Sequence, residues 1–501
     1  MNPMIDPLKL SYALAHQFGD RPALVDIATN RAWSYEDLFQ QTQRWKAYLH
    51  QSHVMPGDVV IWVAKNSIDF FAVLFAAKEL SITLLPLNWR ESNHVQQRIV
   101  DLAKPALILY EPIFEKMLTH LQPLHKAKSQ NISLIELHDI GNTGIDIAVT
   151  IDERTPWYLL FTSGTTGDAK AVIYNWNMHV ANVKNVQSMV DITPSDINLS
   201  VLPHYHTAGI NLFALPTLML GGSVRVHAEA NPIALLKELT NESITTALFI
   251  PTLFQKIADL PEFKNKETLP NSFKLIASGG APLIKALWVS WQAKGVVIQN
   301  GCGLTESGPT LFLQTKSEAL NSPTAVGQVV KYTQVKLIGP DGSEVHEGEA
   351  GEIWIRGAAV TPGYWRSVDH NRAAFKNDWF RTGDVAVLVE GQYQIVDRMN
   401  DLFICGGECV YPSEIEQMIN RFDGVEEVVV MGEPHRIWGE TGVALVVCKP
   451  GYFLTQKDVL AFCKENLARY KVPKRIEFID ELPKTATGKI RRGLVRNWVR
   501  K

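Results

Sequence analysis

An α/β fold is predicted: a large N-terminal domain of helix-covered sheets with a β-rich subdomain, then a small α+β C-terminal domain. Three observations predict it. As far as Gly303, short apolar runs alternate with helix-like segments, the rhythm of parallel strands covered by helices. Several of these runs stop in loops of glycine and other small residues. From about Thr324 the texture changes to short alternating strands with tight turns, and beyond Arg398 to a unit with helices and strands of its own. The expected domains are therefore 1–397, with the β-rich subdomain at about 320–397, and 398–501.

In chain order, Val59-Val-Ile-Trp-Val63 reads as a buried strand and Phe70 to Leu80 as a helix. Ile82 to Pro86 and Ala106 to Tyr110 repeat the strand pattern. Trp157 to Phe161 runs straight into a Gly/Thr loop. Phe273 to Ala277 ends in Gly279-Gly280, and Val296 to Gln299 ends in Gly301-Cys302-Gly303. Ligands of open α/β sheets sit at strand ends of this kind. Val335 to Gly339 followed by Pro340-Asp341-Gly342 predicts a hairpin turn, and Glu352 to Ile355 a half-buried strand. In the last hundred residues, Ser413 with Glu416 and Thr455 with Asp458 have the spacing of capping boxes. Val428 to Val430 and Val443 to Val447 are strands. No internal repeat or low-complexity tract occurs.

Composition excludes several classes. With 49 Lys plus Arg against 52 Asp plus Glu, the net charge of -3 describes no polyelectrolyte, and no partner nucleic acid is expected. The five cysteines, Cys302, Cys405, Cys409, Cys448 and Cys463, lack the paired spacing of a zinc site and read as reduced thiols. No basic n-region with an apolar core opens the chain, and runs such as Phe70 to Ala77 fall far short of the roughly 20 residues of a membrane span. A cytoplasmic protein without integral membrane contact is expected.

The sharpest chemical signal is Thr162-Ser163-Gly164-Thr165-Thr166-Gly167-Asp168-Ala169-Lys170. A Gly/Ser/Thr loop after a buried strand offers amides, hydroxyls and a lysine to a polyphosphate. Its spacing is not that of the NTPase P-loop, and no Ser/Thr follows the lysine. A surface turn with a solvated lysine fits the same composition. Further motifs follow in order: Pro203-His-Tyr-His206, Ser278-Gly-Gly-Ala-Pro282, Cys302-Gly-Leu-Thr-Glu306, Gly363-Tyr-Trp365 and Trp379-Phe-Arg-Thr-Gly-Asp384. Asp397-Arg398, Gly406-Gly-Glu-Cys-Val-Tyr-Pro412, Trp438-Gly-Glu440 and Pro483-Lys-Thr-Ala-Thr-Gly-Lys489 complete the series.

This ordered series resembles the adenylate-forming (AMP-binding) superfamily of acyl- and aryl-CoA synthetases, carrier-protein-linked adenylation domains and firefly luciferases. The resemblance covers nearly the whole chain and implies two-step chemistry. A carboxylate attacks the α-phosphate of ATP, pyrophosphate leaves, and a thiol then displaces AMP. Joining two anions demands positive charge and oriented donors. By resemblance, Thr162, Ser163, Gly164, Thr165, Thr166, Gly167 and Lys170 hold the departing phosphates, and Gly280, Asn300, Gly301 and Cys302 lie on the nucleotide side. Glu306 would ligate Mg²⁺, and Thr305 would contact the α-phosphate. Asp384, assisted by Arg398, would accept from the ribose hydroxyls. Lys489 would bridge the carboxylate and α-phosphate, and His206 would act on the carboxylate side. Asn400 is the expected hinge.

Cys302 stands where the family usually has an aromatic residue on the adenine, Ala169 and Ala171 where Pro and Gly are common, and Asn400 where Asp or Lys is frequent. No Asp follows His206 to anchor an α-ammonium group, which disfavours amino acids, since a buried unpaired ammonium is costly. Thr207, Gly209, Gly279 and Ala281 suggest a small-residue, apolar acyl pocket; close packing of helix and strand is the other use for such residues. A medium- or long-chain fatty acid is the expected substrate, with an aryl acid as the alternative. Gly406 and Gly407 resemble the lining of the pantetheine tunnel, making CoA the default acceptor and an acyl carrier protein the alternative. Two other classes fit the fold: a luciferase-like monooxygenase and a non-catalytic acyl- or nucleotide-binding protein.

Overall fold

Five apolar residues in a row, Val59–Val63, leave a strand no solvent face, and it lies buried inside a mostly parallel sheet. In the computed structural model, which describes residues 6–121, 128–131, 155–163, 169–240, 243–484 and 490–499, that sheet runs Lys128–Asn131, Leu107–Tyr110, Val59–Val63, Thr83–Pro86, Tyr158–Ser163 and Ala169–Tyr174. The last two strands form an antiparallel hairpin in which Thr162 faces Lys170 across the ladder. The helix Asp69–Glu79 is buried all round, including Phe70, Phe71 and Phe75. Burial of each such ring contributes roughly 1.5–3 kcal/mol, so tertiary packing rather than an amphipathic stripe holds this helix.

A second sheet has at its centre the parallel strands Ile197–Ser200, Thr246–Phe249, Leu275–Ser278 and Ile298–Cys302. The last two start two residues later than their apolar runs and extend into the small residues, so Ser278 and Cys302 are strand ends. Gly303 follows at a backbone crossing: a Cβ there would sit 1.7 Å from the Pro309 carbonyl oxygen, so only glycine fits.

Contacts group the chain into two units. Described residues of 1–164, 169–334 and 356–375 form one, and those of 335–355 and 376–501 the other. The second contains residues 350–355 of the strand Ala350–Gly357 and the antiparallel strands Trp379–Val389 and Gln392–Arg398, and the expected turn closes with Gly339 N donating to Ser343 O at 2.8 Å. It also contains the long hairpin Val425–His435 with Gly439–Cys448, and the helices Pro412–Ile419, Gln456–Asn466 and Arg492–Val499. Thr455 and Asp458 form the expected capping box. Ser413 and Glu416 do not: the helix is capped at Tyr411 with Pro412 in its first turn. Ser413 instead donates from N to Asp397 Oδ2 at 2.8 Å and from Oγ to the Val396 carbonyl. Glu416 accepts from Val430 N at 2.7 Å and from Arg492 at 2.6 Å. Partners distant in sequence outcompete the local cap. Among the described residues no helix is long and apolar enough to cross a membrane, and Cys302, Cys405, Cys448 and Cys463 are free thiols.

Candidate active site

The strand Ala169–Tyr174 organises the first unit's site. Residues 170, 172 and 174 alternate onto one face. On its outer edge the segment from Thr361 to Trp365 adds two main-chain bonds, Ile173 N to Gly363 O at 3.1 Å and Trp365 N to Ala171 O at 2.8 Å, and one from a side chain, Thr361 Oγ1 to Ile173 O at 2.8 Å. This lays Tyr364 across from Val172. Its ring centroid is 5.1 Å from Lys170 Nζ, and its hydroxyl donates to Glu306 Oε1 at 2.8 Å. Burial and the nearby Glu306 carboxylate hold this phenol well above its usual range, so it remains a donor.

Glu306 sits in a single turn of 3-10 helix, Thr305–Ser307, and is only 8% exposed. The turn is held on both backbone carbonyls. Thr361 N donates to Glu306 O at 2.8 Å, and Tyr174 Oη donates to Thr305 O at 2.5 Å. Ser307 ties it back to Leu304 O and Pro309 O, each at 3.0 Å. The donor set suits Mg²⁺, which takes hard oxygens, usually one or two carboxylates completed by substrate phosphates and water. Among the described residues no cluster of three or more His, Cys, Asp or Glu forms a ready-made metal site.

Thr207, expected on the acid side, opens the short helix Thr207–Ile210, with His206 as its N-cap residue. Tyr174 Oη and Thr207 Oγ1 are 2.5 Å apart, Asn211 Nδ2 donates to Thr207 Oγ1 at 3.1 Å, and Tyr158 Oη donates to Asn211 Oδ1 at 2.6 Å. A phenol has one proton, and that of Tyr174 goes to Thr305 O, so Thr207 must donate to Tyr174. The result is a directional chain, Tyr158 to Asn211 to Thr207 to Tyr174 to the Thr305 carbonyl, built of buried side chains. It joins the acid-side helix to the Glu306 turn.

Of the two motif histidines, His204 is the core residue: it packs against Phe70 and Phe71 at 4.7 and 5.1 Å, and burial lowers its pKa to about 3. His206 is half-buried beside Tyr205. Gly209 serves close packing, because a Cβ there would lie 2.3 Å from Pro203 O and 2.5 Å from Leu202 O. Gly279 likewise approaches Gly301 O, at 3.3 Å from a Cβ. Ala281 and Cys302 are half-buried, and Gly280 is exposed with φ +83. Asn300 uses its amide to donate to Ala325 O at 3.0 Å.

In the second unit, Asp384 and Arg398 face each other across adjacent strands, with Arg398 Nε 3.1 Å from Asp384 Oδ1. Asn400 O accepts from Arg496 at 2.7 Å. Gly406 and Gly407, at φ +63 and +91, make the turn between Phe403–Cys405 and Glu408–Val410, and Gly406 N donates to Trp438 O at 2.8 Å. Gly164, Thr165, Thr166, Gly167 and Lys489 lie outside the described residues, as does the Ser163 side chain. Residue reasoning missed Tyr158, Tyr174, Asn211, Thr361 and the part played by Tyr364. The alternation of 170, 172 and 174 on a strand was the one available signal.

Residues 12–365 match the AMP-binding enzyme family and residues 414–489 the AMP-binding enzyme C-terminal domain. A feruloyl-CoA synthase of an Amycolatopsis species is 31% identical over 466 residues, covering 93% of this chain and 94% of that protein. An indoleacetate–CoA ligase of Aromatoleum aromaticum is 29% identical over 94% of each chain, and a long-chain-fatty-acid–CoA ligase of Mycobacterium tuberculosis 28% identical over 95% and 94%. The crystal structure of ATP-bound MatB from Rhodopseudomonas palustris shares the fold with a TM-score of 0.88 at 26% identity, covering 98% of both chains. Thus the chain belongs to the AMP-binding enzyme family and is an AMP-forming acid–thiol ligase, joining a carboxylic acid to CoA through an acyl-adenylate.

Proposed function

We propose that this ligase activates a compact aromatic carboxylic acid. The observation that carries the proposal is the backbone contact of Gly209 with the Leu202 and Pro203 carbonyls. The glycine that sequence offered, with Thr207, Gly279 and Ala281, as room for an alkyl chain is spent on packing, which removes one of the reasons to expect a long acid. The feruloyl- and indoleacetate-CoA ligases among the relatives support the same choice. The competing medium- or long-chain fatty acid has the support of the long-chain ligases at 28% identity.

In this proposal an oxygen of the acid attacks Pα of ATP and the bond from Pα to the pyrophosphate oxygen breaks. The CoA sulfur then attacks the acyl carbon, its proton passes to solvent, and AMP leaves. Lys170, with the loop from Thr162 to Gly167, holds the pyrophosphate portion, and Thr305 the α-phosphate. Glu306 would hold Mg²⁺, which neutralises phosphate charge when bound. Asp384, oriented by Arg398, takes the ribose hydroxyls, and Lys489 bridges the reacting anions. His206 stands on the carboxylate side, Cys302 beside the adenine, and Gly406 and Gly407 along the path of the CoA thiol. Rotation about Asn400 exchanges the two half-reactions.

The test is pyrophosphate release and thioester formation with ATP, Mg²⁺ and CoA over hydroxycinnamates, arylacetates and C6–C16 fatty acids. Highest kcat/KM on an aryl acid is expected. A fatty acid exceeding every aryl acid overturns the choice of acid and leaves the ligase chemistry standing.

A further inference from the structure

The geometry points to Tyr364 as a positioning residue that sets the Glu306 carboxylate and the Lys170 ammonium relative to each other. The inference rests on the proposed roles of Glu306 as Mg²⁺ ligand and Lys170 as phosphate ligand. One side chain serves both groups. Its hydroxyl donates to Glu306 Oε1 at 2.8 Å while its ring face lies 5.1 Å from Lys170 Nζ. Fixing one oxygen of a carboxylate fixes the orientation of its plane, and so the direction in which it offers lone pairs to a cation. Donation of the phenolic proton to an anion also leaves the ring richer in electrons, which strengthens its hold on the ammonium; the two contacts support each other.

Three backbone facts make Tyr364 a fixed strut. The residues on either side of it are bonded to the strand carrying Lys170, through Gly363 O and Trp365 N. Its own N donates to Asn371 Oδ1 at 2.6 Å, and Asn371 Nδ2 returns to Tyr364 O at 3.0 Å. Thr361, three residues earlier, bonds both to that strand and to the Glu306 carbonyl. The segment 361–365 therefore ties the phosphate-side strand to the turn of Glu306 by its main chain, and Tyr364 repeats the link with its side chain.

Two variants separate the contacts. Tyr364→Phe keeps the ring and loses the hydroxyl; Tyr364→Leu loses both. Mn²⁺ binding in the presence of a non-reactive ATP analogue, read from the electron paramagnetic resonance signal of free Mn²⁺, reports the carboxylate without turnover. Binding of the analogue alone reports the lysine, and thermal melting reports the fold. For Tyr364→Phe, Mn²⁺ affinity should fall about tenfold, as for loss of a hydrogen bond to a charged group, with metal-free analogue binding and melting near wild type. For Tyr364→Leu, analogue affinity should fall as well, by about threefold. Unchanged Mn²⁺ affinity in Tyr364→Phe, or a loss explained by a lower melting temperature, overturns the inference. Glu306→Gln is run beside it. If Glu306→Gln weakens Mn²⁺ binding and Tyr364→Phe does not, only the positioning role fails. If Glu306→Gln has no effect, the metal-ligand proposal fails and takes this one with it.

Discussion

Replacing Tyr174 by Phe tests whether the buried chain from Tyr158 to the Thr305 carbonyl is a working support. Tyr174 is 1% exposed and stacks on Tyr158 at 4.7 Å between ring centroids, a contact that Phe keeps. What is lost is one hydroxyl with two neighbours at 2.5 Å: the Thr305 carbonyl it donates to and the Thr207 hydroxyl it accepts from. Each buried polar group left without its partner costs about 1–3 kcal/mol, so losing two partners in Tyr174→Phe should destabilise the protein by about 2–6 kcal/mol. Thr207→Val should cost about 1–3 kcal/mol, because Tyr174 keeps its bond to Thr305 while Asn211 Nδ2 loses its acceptor.

The two substitutions share one hydrogen bond, which the double variant loses only once. Urea unfolding of the two single variants and the double should therefore give a coupling of about 1 kcal/mol, the double being less harmful than the sum. The same variants should raise KM for the acid and lower kcat of pyrophosphate release, since the chain joins the acid-side helix to the Thr305 turn. Additivity within about 0.4 kcal/mol would refute the shared chain, because uncoupled sites add to that precision. A destabilised Tyr174→Phe with unaltered adenylation kinetics would leave the chain as fold support alone.

His179 and His204 are buried with no hydrogen-bond partner on either ring nitrogen among the described residues, and burial lowers each pKa from 6.5 to about 3. Below pH 6.5 the unfolded chain binds protons that the folded one refuses, so stability is full above that pH and lost as pH falls toward 3; each histidine should remove about 2 kcal/mol between pH 7 and pH 5, a slope that urea midpoints measured against pH will reveal and that His204→Phe should lessen by its own share. In the second unit Arg492→Met strands Glu416, whose pKa burial already raises, and takes a partner from Asp401 Oδ2 at 3.6 Å. A loss of about 3 kcal/mol is expected by thermal or urea unfolding, with partial recovery in the Arg492→Met, Glu416→Leu double variant.

How far the sequence reveals such features depends on where the partner lies. Val59–Val63 and the helix Asp69–Glu79 were legible because uniform apolarity can only be satisfied by burial, and burial of a short run bounded by polar residues leaves few architectures. Thr455 and Asp458 were legible because a capping box closes within four residues. Ser413 and Glu416 carry the same letters at the same spacing, yet Asp397, Val430 and Arg492 claim them from 16, 14 and 76 residues away. Local pattern cannot see a competitor that arrives through the fold.

The same distinction runs through the site. Lys170 and Glu306 stand out as charged residues in small-residue loops, but what brings them together is Tyr364, 58 residues beyond Glu306 in the chain, in a segment whose letters suggest no charge chemistry. Gly209 shows the converse, a residue whose two uses are identical on paper and separate only when a Cβ is placed against the Pro203 carbonyl. Polar side chains buried at the ends of strands are thus the part of an active site least visible beforehand. They contribute nothing that composition would flag, because their partners are backbone carbonyls and each other. Yet a buried hydroxyl without a partner is expensive, so every member of the Tyr158–Asn211–Thr207–Tyr174 chain constrains the next. Rigidity of the Thr305–Glu306 turn follows from that constraint, and rigidity there is what the roles proposed for Thr305 and Glu306, at a place where two anions meet, require.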